Sequence, residues 1–190
     1  MAENKPRKWL INALRKSVVR SIEARGFENV PFGKTDIVDR EFKQSFPFGR
    51  FRRKSLNGLH LLDIEFAVQG KAKFRINAGV FPAEGFVDIL SQTVLPEEAW
   101  VHTLLKSYVL AGGSKRNNWF YVSHWFWQTP TRQQFEDLAS TASALIPEIE
   151  NALSNGTVGP HLKFIDNTEF ANTMRLQLQK QKAQEIQKTK

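Results

Sequence analysis

The sequence contains no cysteine, so disulfides, thiolate nucleophiles and Cys-ligated zinc or iron–sulfur centres are excluded from its chemistry. It has no apolar run near the roughly 20 residues of a membrane span, and its first residues, "MAENKPRKWLINALRKS", carry no signal-peptide stretch. A cytoplasmic protein without a membrane partner is the expectation. Catalytic signatures are also missing. There is no Walker-type phosphate loop, no G-x-S-x-G elbow, no H-E-x-x-H and no G-x-G-x-x-G following a strand. The four histidines, His60, His102, His124 and His161, are far apart and show no ligand spacing. No metal site and no cofactor is expected.

What is present is positive charge, placed unevenly. The 190 residues carry a formal net charge of +8. Residues 1–60 hold 14 Lys/Arg against 6 Asp/Glu, residues 61–160 hold 7 against 10, and residues 161–190 hold 6 against 3. The excess therefore sits at the two ends. Such asymmetry suits an anionic partner, nucleic acid or an acidic protein; it also suits a surface that only aids solubility.

The pattern along the chain predicts α+β architecture: an antiparallel sheet of about four to five strands with helices on one face. Residues 1–165 form one domain, and 166–190 a Gln/Lys-rich helix or frayed tail. From Lys8 to Arg25, Leu10, Ile11, Leu14, Val18 and Ile22 share one helical arc, and Lys8, Arg15, Lys16 and Arg20 lie largely opposite. Gly26 stops this helix. Three alternating segments follow: "DIVDREFKQSF", "LHLLDIEFAVQ" and "AKFRINAGVF". A turn at "QGK" pairs the last two and sets Asp63 and Glu65 on one face with Lys73, Arg75 and Asn77. "PEEAWVHTLLKSYVLAGG" reads as a helix with Trp100, Leu104, Leu105 and Tyr108 on its stripe. "FVDILSQTVL" fits a strand or a short helix, and "HLKFI" a short strand. The clearest helix is "TPTRQQFEDLASTASALIPEIENALSNG", capped by Thr129, kinked by Pro147 and stopped by Gly156.

Two surfaces stand out. In "GRFRRKS", Arg50, Arg52, Arg53 and Lys54 place four cations within five residues, read as a loop between strands and a candidate anion-binding site. The plainer reading is a basic hairpin tip that discourages sheet aggregation. The second is "NWFYVSHWFW". As a strand it sends Phe120, Val122, His124 and Phe126 to one side, and Trp119, Tyr121, Ser123, Trp125 and Trp127 to the other. With Arg75 and Asn77, Trp119, Tyr121, Trp125 and Trp127 make a candidate ligand face, unless a loop, the tail or another subunit covers it. His124 reads as a hydrogen-bonded core or rim residue.

A helix ending Arg25-Gly26-Phe27, the segment "IVDREF", the strand "FRINAGVFP" (residues 74–82) and the Trp-rich segment together resemble an uncharacterised bacterial family, the domain of unknown function numbered forty-three-oh-four. The resemblance spans residues 8–155. It implies a fold and a bacterial origin, and it supplies no catalytic residue. The basic segment at 50–54 and the long Gln/Lys tail depart from that pattern.

Three functions are compatible with these features. The first is a non-enzymatic binding domain, immunity-like or regulatory, whose 50–54 segment and first helix hold an anionic partner. The second is a metal-dependent nuclease-like enzyme built on Glu41-Phe42-Lys43 with Asp36, Asp39 or Asp63 completing the site. The third is a homo-oligomeric assembly module joined through the Trp-rich strand.

Overall fold

The computed structural model describes residues 5–32, 39–68, 71–87, 93–112, 118–123, 129–173 and 176. The expected α+β architecture is observed, with more strands than the alternation indicated. The first helix is α1 (Lys5–Leu14), a π turn (Arg15–Val19) and α2 (Arg20–Glu23) in series. Then come β1 (Glu28–Val30), α3 (Arg40–Ser45), β2 (Arg50–Ser55), β3 (Gly58–Phe66), β4 (Lys73–Phe81), β5 (Phe86–Val87) and β6 (Thr93–Val94). The chain continues through β7 (Lys106–Leu110), β8 (Phe120–Tyr121), α4 (Arg132–Ala144), α5 (Ile146–Asn155) and β9 (Leu162–Asp166). Seven strands form one antiparallel sheet, six of them in the order β1-β2-β3-β4-β7-β9. β8 pairs the same β4 at Lys73 and Phe74, beyond the stretch that β7 pairs at Ile76 to Ala78. β5 and β6 form a separate two-stranded ribbon.

Alternation sorts the sheet into two faces. Phe51, Leu62, Ile64, Phe66, Phe74, Ile76 and Ala78 are buried against Leu10, Leu14, Val18 and Ile22 of the first helix and Phe135, Ala142, Ile149 and Leu153 of α4 and α5. Removing this apolar surface from water is the main stabilising term. On the other face Leu61 and Phe81 pack against Ala99, Val101 and Leu104.

Four local expectations are corrected. Residues 40–45 are helical, because Asp39 accepts a hydrogen bond from the Phe42 amide (2.6 Å) and caps a helix start there. Residues 95–110 are no helix: a 3₁₀ turn at Val101–Thr103 leads into β7, whose Tyr108 and Leu110 pair with Ala78 and Ile76. The sheet edge on β4 overrides the helical stripe there. The helix after residue 129 is capped by Thr131 rather than Thr129, through a reciprocal capping box with Gln134. The Pro147 kink is a full division at Leu145, with Pro147 in the first turn of α5. Gly156 ends α5 in the left-handed conformation, as its position suggested. Past β9, residues 168–173 are helical with Ala171 buried, and residues 177–190 lie outside the described residues.

Candidate anion-binding groove and the opposite sheet face

Apolar residues at 10, 14, 18 and 22 hold the first helix against the sheet and leave Lys5, Lys8, Asn12, Arg15, Lys16 and Arg20 exposed. Arg7 is turned away from this row. Its guanidinium donates to the carbonyls of Ala67, Lys71 and Gln44 and lies over the Phe66 ring, 4.7 Å from the centroid. Desolvation there lowers its pKa. α4 packs beside α1, so that Lys5, Lys8, Trp9, Asn12, Arg15, Lys16 and, at the N-terminal end of α4, Arg132 line a groove of about 610 Å³. Trp9 is half-buried, packed partly on the core and partly lining this groove. A second groove of about 400 Å³ shares Arg15 with the first and is lined also by Arg20, Glu23, Asn29, Phe32 and Phe48.

The sequence-predicted cations of residues 50–54 are on strand β2, not in a loop, and alternation separates them. Arg53 projects to the helical face. It donates to Glu150 Oε1 (2.7 Å) and to the Arg25 carbonyl (2.7 Å), and lies over the Phe27 ring. Glu150 also accepts from Arg25 Nε at 3.0 Å. Arg53 Nη2 meets His60 Nδ1 at 3.3 Å, and His60 Nε2 meets Asn57 Oδ1 at 2.8 Å. With Arg53 the donor at Nδ1, His60 is a neutral imidazole protonated at Nε2. Its pKa is lowered by burial first and by the Arg53 charge second. Arg50 projects to the opposite face, where it donates to the Ala99 (3.2 Å) and Glu97 carbonyls and lies over the Trp100 ring. Arg52 shares that face at intermediate exposure, and Lys54 is exposed at the strand end. The four cations are thus not one cluster.

Of the aromatic residues expected on the charged face, Trp119 and Tyr121 are described, Tyr121 pairing with Lys73 across the β4–β8 ladder. Phe120 is buried and stacks on Phe74 (4.9 Å between centroids), while Tyr121 is exposed. Trp119 is half-buried under two cations, Lys73 and Arg75, at 5.0 and 4.9 Å. Trp125, Trp127 and His124 lie outside the described residues. Arg75 donates through Nε to Glu65 Oε2 (2.7 Å) and through Nη2 to Glu65 Oε1 (2.9 Å). Asn77 Nδ2 donates to Asp63 Oδ1 (2.7 Å) and Glu65 Oε2 (2.9 Å).

Asp63 was not singled out as a perturbed group, although its setting in "LLDIEF" is the signal. Its side chain is fully buried and Oδ2 has no hydrogen-bond partner. Burial pushes its pKa up to about 7, against the opposing Asn77 hydrogen bond. His102, in a ring cluster with Phe42, Phe46 and Trp100, has its pKa lowered by burial, with Glu65 opposing.

The Glu41-x-Lys43 pattern falls on α3. Two residues apart on a helix point roughly 200° away from each other, so the side-by-side presentation of a strand is lost. Among the described residues no group of three or more His, Asp or Glu could hold a metal ion. No helix of the described residues is long and apolar enough to cross a membrane. No family model, no curated protein and no solved structure matches the chain.

Proposed function

We propose that this chain is a non-enzymatic binding domain for an anionic partner, and that the partner is held in the groove along the first helix. The observation that supports this reading is the groove itself: Lys5, Lys8, Arg15, Lys16 and Arg132 converge on one concavity of about 610 Å³ without an acidic side chain in its lining, Arg132 also pairing with Glu136 (2.9 Å). Summed positive potential in a concave site concentrates anions and speeds their association. Arg52 and Lys54 add positive charge on the far side of the sheet, whereas Arg50 and Arg53 already bond within the fold.

The test is retention on a heparin matrix. The wild-type chain elutes late and in a salt-dependent manner, and Lys8→Glu/Arg15→Glu/Lys16→Glu elutes markedly earlier with an unchanged unfolding transition. Equal elution of the two proteins sinks the reading.

A further inference from the structure

The cationic row does not stop at the end of α1, because the helix is wound differently there. In a continuous α-helix Arg20 would lie about 140° around the axis from Arg15. The π turn at Arg15–Val19 bonds residues five apart, and so brings these two arginines closer to the same side of the helix. Both line the second groove, and Arg15 lines the first as well. The result is one exposed file, Lys5, Lys8, Arg15, Lys16 and Arg20, running about 22 Å along the helix at 1.5 Å per residue. The winding follows from burial: Leu14, Val18, Val19 and Ile22 are all buried, and adjacent Val18 and Val19 both reach the core across the widened turn.

A row of five cations spread over residues 5, 8, 15, 16 and 20 matches an extended charged polymer better than a single small anion. Beside it lies the indole of Trp9, with Asn12 one turn further on. An indole in a cationic groove offers a stacking surface for a nucleobase. In a duplex, both faces of a base are covered by its neighbours, so only an unpaired strand can use that surface. An acidic peptide offers charge but no base.

Resting on the anion-binding reading above, we propose that the partner is single-stranded nucleic acid, its phosphates following the file from Lys5 to Arg20 and one base meeting Trp9. Neutralising about five phosphates gives a log–log salt slope for association near −3.5.

Fluorescence anisotropy with four labelled 12-mers tests this: oligodeoxyadenylate, an abasic strand of equal charge, a duplex, and polyglutamate. The expected result is binding of oligodeoxyadenylate about tenfold tighter than the abasic strand and tighter than the duplex. Trp9→Leu, which keeps an apolar side chain against the core, removes the advantage over the abasic strand and leaves abasic binding unchanged. Equal affinity for the base-bearing and abasic strands in the wild-type chain, or preference for duplex or polyglutamate, overturns the single-strand assignment while the anion-binding reading stands. Failure to bind all four overturns both.

Discussion

Glu65 and Arg75 face each other across the β3–β4 ladder, and the guanidinium forks both carboxylate oxygens of its partner. The same guanidinium lies over Trp119. One side chain therefore ties the polar centre of the sheet to the strand that carries the aromatic segment.

Arg75→Leu is expected to cost about 1–3 kcal/mol of stability, since it leaves the mostly buried Glu65 with the Asn77 amide as its side-chain donor and removes one of the two cations over Trp119. Urea denaturation monitored by tryptophan fluorescence reads both consequences. A change below about 0.5 kcal/mol shows that the fork is solvent-screened and stabilises little.

Asp63 gives a pH dependence with a definite sign. Its pKa is about 7 in the folded chain against an ordinary 3.8, so between these values the folded state holds the extra proton. Stability is then full below about pH 4 and declines as pH rises towards 7, by on the order of 4 kcal/mol in the limit. Glu65, Arg75 and Asn77 are the groups that act on it. His60 and His102, whose pKa values are lowered, contribute in the opposite sense, with stability gained as pH rises through their titration towards 6.5. The Asp63→Asn variant isolates the carboxyl: it is expected to be more stable than the wild-type chain at pH 8 and to gain little at pH 4. Parallel pH–stability curves for the two proteins contradict this.

Arg53 and Arg52 are neighbours in sequence with different fates. Arg53→Met is expected to destabilise the fold by about 1–2 kcal/mol, through loss of its bonds to Glu150 and the Arg25 carbonyl, with polyanion affinity unchanged. Arg52→Ala is expected to leave stability within about 0.5 kcal/mol. Thermal unfolding and heparin elution of both variants decide the matter, and a loss of retention in Arg53→Met would assign that arginine to the binding surface.

Thr131→Ala removes the side-chain acceptor for the Gln134 amide at the start of α4. About 1 kcal/mol of stability is expected to go with it. Because α4 forms one wall of the groove through Arg132, weaker heparin retention should accompany any fraying. Unchanged stability would show that the Gln134 side chain caps the helix alone.

The β3–β4 hairpin was legible because period-two alternation over nine residues has one explanation, and its register put Glu65 opposite Arg75 and Asp63 opposite Asn77. The first helix and α4–α5 were legible from their apolar arcs. Residues 40–45 misled because Phe42 and Phe46 fit an alternating pattern as well as a helical one, and only the Asp39 cap decides between them. Tyr108 misled for the opposite reason: a local helical stripe yields to pairing with Ala78 of β4, a partner thirty residues earlier. The basic segment was visible as charge, yet its division by strand alternation required knowing that it is a strand. The groove along the first helix was half-visible, as a basic arc. That α4 walls it, and that a π turn extends it, are tertiary facts without a local sequence signature.

Arg7 fastens α1 to the carbonyls of Ala67 and Lys71, and α1 packs on α4, which begins at residue 132. A chain emerging from the ribosome N-terminus first must therefore carry this helix without its sheet partners until residues 60 positions further on have been made, and without α4 until Arg132 and beyond have followed. Contacts so remote in sequence slow folding and lengthen the exposure of Leu10, Leu14 and Val18 to the surrounding cell. Such a protein should lean on holding chaperones during translation, and moving α1 behind α5 by circular permutation should relieve that dependence.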